Sequence, residues 1–68
     1  MEYLFIVYDV WCVRVVESAD EELNKFLSFM QIFEAINYLG SLGWILVSTL
    51  PNNEFSMYGI LSFKRQIV

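Results

Sequence analysis

Residues 2–16 are apolar on both sides of an extended chain, and this restricts the fold more than any other feature. Side chains alternate between faces along a strand. One side would carry Tyr3, Phe5, Val7, Trp11, Val13 and Val15, interrupted by Asp9. The other would carry Leu4, Ile6, Tyr8, Val10, Cys12 and Val16, interrupted by Arg14. The segment reads as one long strand, straight or bent. A single helix covers one face of a sheet, so the second face needs cover that the rest of the chain does not offer. A long apolar strand left at an edge would also invite unwanted pairing. The expectation is a homo-oligomer, a dimer or higher.

Size points the same way. The chain has 68 residues, read as a single domain over 1–68. A domain this short buries only about 60% of the surface its unfolded chain exposes. Such domains commonly rely on a disulfide, a metal or a partner subunit. Cys12 is the only cysteine and there is no histidine, which leaves no internal disulfide and no zinc site. Hydrophobic residues make up 57% of the chain, above the roughly 45–50% usual for soluble domains. Part of that excess has to face another molecule.

Asp9, Arg14 and Glu17 interrupt the longest apolar stretch, well short of the ~20 apolar residues of a spanning helix. The acidic start at Glu2 does not resemble a signal peptide. A single free thiol suits a reducing compartment. A cytoplasmic protein is therefore expected, with no membrane contact.

The net charge is −4, with Arg14, Lys25, Lys64 and Arg65 as the basic residues. A nucleic-acid binder needs a basic face to displace counterions, and none is expected here. Glu17, Asp20, Glu21 and Glu22 form an acidic connection. It lacks the glycine-containing loop of a calcium site, so it reads as solvated chain. Ser18 and Glu21 have capping-box spacing, and a short helix can begin there. Residues 23–29 either extend that helix or run irregularly into the next, with Ser28 as a possible N-cap.

The main helix is expected over 30–42. Ile32, Ala35, Ile36 and Leu39 follow the spacing of one buried face. Phe29 and Phe33 widen the stripe, while Gln31, Glu34, Asn37 and Ser41 make the polar side. Gly40 and Gly43 bracket the switch from helix to strand, because glycine reaches positive φ without a Cβ clash. A second strand follows over 44–50 and stops at Pro51. Asn52, Asn53 and Glu54 suit a turn, and a third strand runs over 55–65. In it Phe55, Met57, Leu61 and Phe63 share one face. Gly59 marks a bulge or a close approach by another group. The fold class is α+β: a β-α-β-β order, with a three-stranded, mainly antiparallel sheet and one helix on one face. The third strand is placed between the first two.

The run Glu34-Ala35-Ile36-Asn37-Tyr38-Leu39-Gly40-Ser41-Leu42-Gly43-Trp44-Ile45-Leu46-Val47-Ser48, with Phe63-Lys64-Arg65 downstream, resembles a family of small bacterial and phage domains of unknown function. Their pattern is E-A-L-N-x-L-G-x-x-G-W-E-L-V-S followed by a hairpin ending in F-K-R. Ile45 stands where that family usually has an acidic residue. The resemblance covers residues 34–65 and implies the fold, with no activity attached.

No catalytic constellation is present: there is no histidine base, nucleophile elbow or glycine-rich phosphate loop. Cys12 reads as a small apolar filler. Asp9 reads as a structurally paired carboxylate, with a partner on another strand or subunit. No enzyme activity, cofactor or metal is expected. The favoured function is a non-catalytic binding module with a small planar or phosphorylated ligand held between subunits. A nucleotide-type signal sequestered by a phage-encoded protein is one such ligand. Its candidate lining is Tyr8, Trp11, Arg14, Tyr58, Lys64 and Arg65, combining aromatic faces with cations. The alternative is a protein-interaction module that inhibits or scaffolds a partner through an exposed aromatic strand face.

Overall fold

The computed structural model describes residues 1–51 and 57–66. Its elements are β1 (Glu2–Asp9), β2 (Cys12–Glu17), α1 (Glu21–Leu27), α2 (Ile32–Ser41), β3 (Ile45–Leu50) and β4 (Gly59–Arg65). The four strands form one antiparallel sheet in the order β2-β1-β4-β3. The α+β class and the placing of the last strand between the first strand and β3 match expectation. The strand and helix numbers do not: there are four strands and two helices, where three and one were expected.

The extra strand comes from residues 2–16, which do not form one strand. They fold back at Val10 and Trp11, whose φ angles are 51° and 62°. Positive φ at both central residues is what a two-residue type I′ hairpin requires. Neither a β-branched nor an indole side chain favours it. Backbone contacts hold the turn in place. Trp11 N–H donates to Met57 O at 3.1 Å, and Trp11 O accepts from Ile32 N–H at 2.7 Å. Val13 is tied on both sides, donating to Met30 O at 2.8 Å and accepting from Phe29 N–H at 2.9 Å. Residues 29–32 thus border the start of β2. The β1–β2 ladder also steps out of register between Val7 and Tyr8, which leaves Arg14 as the extra residue.

The extra helix, α1, starts at Asp20, whose Oδ1 accepts from Leu23 N–H at 3.0 Å. The N-cap is therefore Asp20 and not Ser18. Ser18 Oγ instead accepts from Asp20 N–H at 3.2 Å and donates to Asn24 Oδ1. Glu21 and Glu22 lie in the first turn, where the helix dipole favours negative charge. Ser28 closes α1 rather than opening α2, its N–H reaching Asn24 O and Lys25 O. The N-cap of α2 is Gln31, without a side-chain bond.

At the other end of α2 the glycine reading holds at one position. Gly43 has φ 88° and donates to Gly40 O at 3.1 Å, while Trp44 N–H donates to Leu39 O at 3.0 Å. This pair of bonds is a Schellman motif, with Leu39 and Trp44 as its apolar contact.

One face of the sheet carries the core. Leu4, Ile6 and Tyr8 of β1, Val13 of β2, and Leu61 and Phe63 of β4 pack against Leu23, Leu27, Ile32, Ala35, Leu39 and Trp44. Phe29 and Phe33 do not join them, at 73% and 54% exposed. The reversed chain at Phe29 (φ 65°) carries that residue away from the buried stripe. The 52–54 turn and the strand start at Phe55 lie outside the described residues. No helix among the described residues is long and apolar enough to cross a membrane.

Candidate functional site

The face of the sheet turned away from the helices is apolar and open. The pairings place its side chains in rows. Tyr3, Lys64 and Ile45 share one row, and Phe5 lies between Glu17 and Ser62 in the next. Val7 then lies between Val15 and Ile60, and Ile60 pairs with Leu50. Tyr3 is 57% exposed, Ile45 58% and Leu50 60%. Phe5, Val7, Val15 and Ile60 are exposed as well. The two-sided apolar character of residues 2–16 is thus real, although a hairpin produces it. Helices cover one side, and among the described residues nothing covers the other.

Asp9 and Cys12 are paired at the hairpin end of this face. The Asp9 Oδ1 atom is buried and has no hydrogen-bond partner. Among the described residues the expected Asp9 pairing is therefore not made. Cys12 is a partly buried free thiol.

The six candidate ligand residues fall in three places. Tyr8, Trp11 and Tyr58 gather at the hairpin end. Tyr8 is buried, and its ring stacks with Trp11 at 6.4 Å between centroids. Trp11 in turn stacks on Phe33 at 5.3 Å. Tyr58 is exposed and directly precedes β4, beside the Tyr8–Gly59 pair. Lys64 and Arg65 lie at the far end, about 17 Å away by the rise of a strand. Lys64 pairs with Tyr3 and Ile45 on the open face. Arg65 turns to the opposite side, where it lies over the Trp44 ring and bonds Glu2. Arg14 is exposed at the β2 bulge. Among the described residues the six are not gathered in one place.

Phe33 belongs to the aromatic stack but was assigned to the helix core from sequence. Its helical spacing from Phe29 gave no sign of the hairpin it would meet.

Gly59 is a point of close approach rather than a bulge. A Cβ there would overlap Leu50 O and come within 2.8 Å of Tyr8 Oη. The bare backbone lets β3, β4 and the Tyr8 ring meet.

Two shallow clefts flank the helices. One of about 450 Å³ lies among Tyr3, Phe5, Glu17, Glu21 and Asn24. Another of about 330 Å³ lies among Asp20, Glu22, Phe26, Tyr38 and Arg65. Both are rimmed by two carboxylates, which disfavour a phosphorylated ligand.

Comparison with protein-family models, curated proteins and solved structures finds no match to this chain. What the chain does is read from its own residues.

Proposed function

We propose that the chain is a small non-catalytic binding module that works as a homo-oligomer and holds a small planar or phosphorylated ligand between subunits. The uncovered apolar sheet face is the observation that carries this reading. The distribution of the candidate residues supports it. The candidate aromatics Tyr8, Trp11 and Tyr58 lie at the opposite end of the sheet from Lys64 in one chain, so a second chain is what would bring them close to it. The carboxylate rims of the clefts within a single chain direct an anionic ligand away from them. A nucleotide-type signal fits the combination of stacking rings and a cation. The helix-to-strand resemblance over residues 34–65 is the link to phage-encoded domains.

The test is a melting panel of mono-, di- and cyclic nucleotides on the purified chain. A ligand at 100 times its dissociation constant adds about 2.7 kcal/mol. For a domain of this size that raises the melting temperature by on the order of 10 °C. A panel without any shift rejects the ligand.

The second reading is a protein-interaction module that inhibits or scaffolds a protein partner. Exposed Tyr3 and Phe5 on the sheet favour it, since aromatic side chains are enriched at interface hot spots. Co-purification of one stoichiometric host protein, with no nucleotide shift, selects this reading over the first.

A further inference from the structure

We propose that the open sheet face is covered by a second copy of this chain, related by a two-fold axis that runs across the strands. This deepens the self-association reading above and rests on it.

The area is sufficient. Tyr3, Phe5, Val7, Val15, Ile45, Leu50 and Ile60 are between 39% and 60% exposed. Together they present roughly 600–700 Å² of side chain, close to the ~800 Å² per partner of a standard stable interface. The row of Val15, Val7, Ile60 and Leu50 contains no charge, while Glu17 borders Phe5 on the outer strand. An uncharged row is the arrangement of an interface centre.

The charges then select the symmetry. Lys64 lies at one end of the face, in the row of Tyr3 and Ile45. Asp9 lies at the other end, with a buried oxygen that lacks a partner. The two are about 20 Å apart along β1, at ~3.3 Å per residue. A two-fold across the strands, passing over the Phe5 and Val7 rows, reverses strand direction and exchanges the ends. Lys64 then stands over the partner's Asp9, and the same pair forms again at the opposite end. A two-fold along the strands would set Lys64 over the partner's Tyr3, with no cation opposite Asp9. Stacked sheets lie about 10 Å apart, a gap that a lysine stem spans together with a carboxylate.

The decisive experiment cross-links a mixture of unlabelled and ¹⁵N-labelled chain with a zero-length carbodiimide, followed by peptide mass spectrometry. The expected product is a Lys64–Asp9 link joining light to heavy peptides. Native mass spectrometry of the same sample should show twice the 8.0 kDa chain. Phe5→Glu should weaken the dimer at least tenfold while leaving the circular dichroism spectrum unchanged. A dimer without the mixed-label Lys64–Asp9 link overturns this symmetry and leaves self-association standing. A monomer at high micromolar concentration overturns both.

Discussion

The Arg65 guanidinium lies over the Trp44 ring, 4.6 Å from its centroid; its Nε donates to Glu2 Oε1 at 2.9 Å, and its Nη2 forms an ion pair with the same oxygen at 2.9 Å. One side chain at the end of β4 thereby ties the start of β1 to the residue that leaves α2. Its Nη1 also donates to Leu42 O at 3.4 Å. Among the described residues this is the only ion pair. These contacts commit Arg65 to holding the fold, whereas Lys64 next to it has no such duty.

Arg65→Ala should therefore lower stability by about 1–2 kcal/mol, from a half-exposed ion pair and a cation–π contact. Arg65→Lys should recover only part of that, because a point charge cannot both lie flat on indole and grip a carboxylate. Urea denaturation of the three proteins measures it. Lys64→Ala should leave monomer stability within about 0.5 kcal/mol, as for ordinary surface changes.

Gly59→Ala should be among the most damaging small substitutions. The added methyl meets the Leu50 carbonyl, a backbone atom that cannot step aside. A loss of about 2–3 kcal/mol is expected, the usual scale of overpacking. Gly40→Ala is the control: a Cβ there meets nothing within 4 Å. It should be stabilising by up to ~1 kcal/mol, since alanine is the better helix former. Thermal melts of the pair separate the two sites.

Asp20→Ala should cost about 1 kcal/mol, the usual value of an N-cap. Ser18→Ala should cost less at the helix start, because Ser18 bonds the Asp20 backbone and the Asn24 side chain, while the Leu23 N–H is held by the Asp20 carboxylate. Amide hydrogen exchange at Leu23, whose N–H the Asp20 carboxylate accepts, should accelerate in the first variant.

Val10→Asn should stabilise the chain by about 1 kcal/mol. Val10 holds φ 51° while 51% exposed, so it bears the left-handed strain with little packing in return. Asparagine tolerates that conformation and is favoured in type I′ turns. Chemical denaturation at matched concentration gives the difference.

That turn also explains what could be read from the amino acids and what could not. Helix α2 and the β3–β4 pair declare themselves through local chemistry: spacing at Ile32, Ala35 and Leu39, a glycine at the Schellman position, and alternation at Leu61 and Phe63. The β1–β2 hairpin has no such sign. Val10-Trp11 lacks the asparagine or glycine that usually marks a two-residue turn. It closes because Trp11 stacks between Tyr8 and Phe33 and its amide and carbonyl reach Met57 and Ile32. Those are distant partners, invisible to a local window. The candidate site was legible to the same extent. The uncovered apolar face followed from alternation alone. Which way Arg65 turned depended on Glu2 and Trp44, which only the assembled sheet brings near.

The β3 strand, finally, bears on how many molecules can join. Ile45–Leu50 contains no charged side chain, and its outer margin is unclaimed among the described residues. Left straight, such a margin would accept one neighbour after another and grow into a fibre. The ladder slips between Leu46 and Ser48, leaving Val47 as an unmatched residue that breaks the even row of amides. An irregularity of this kind interrupts the even edge that sideways strand addition needs.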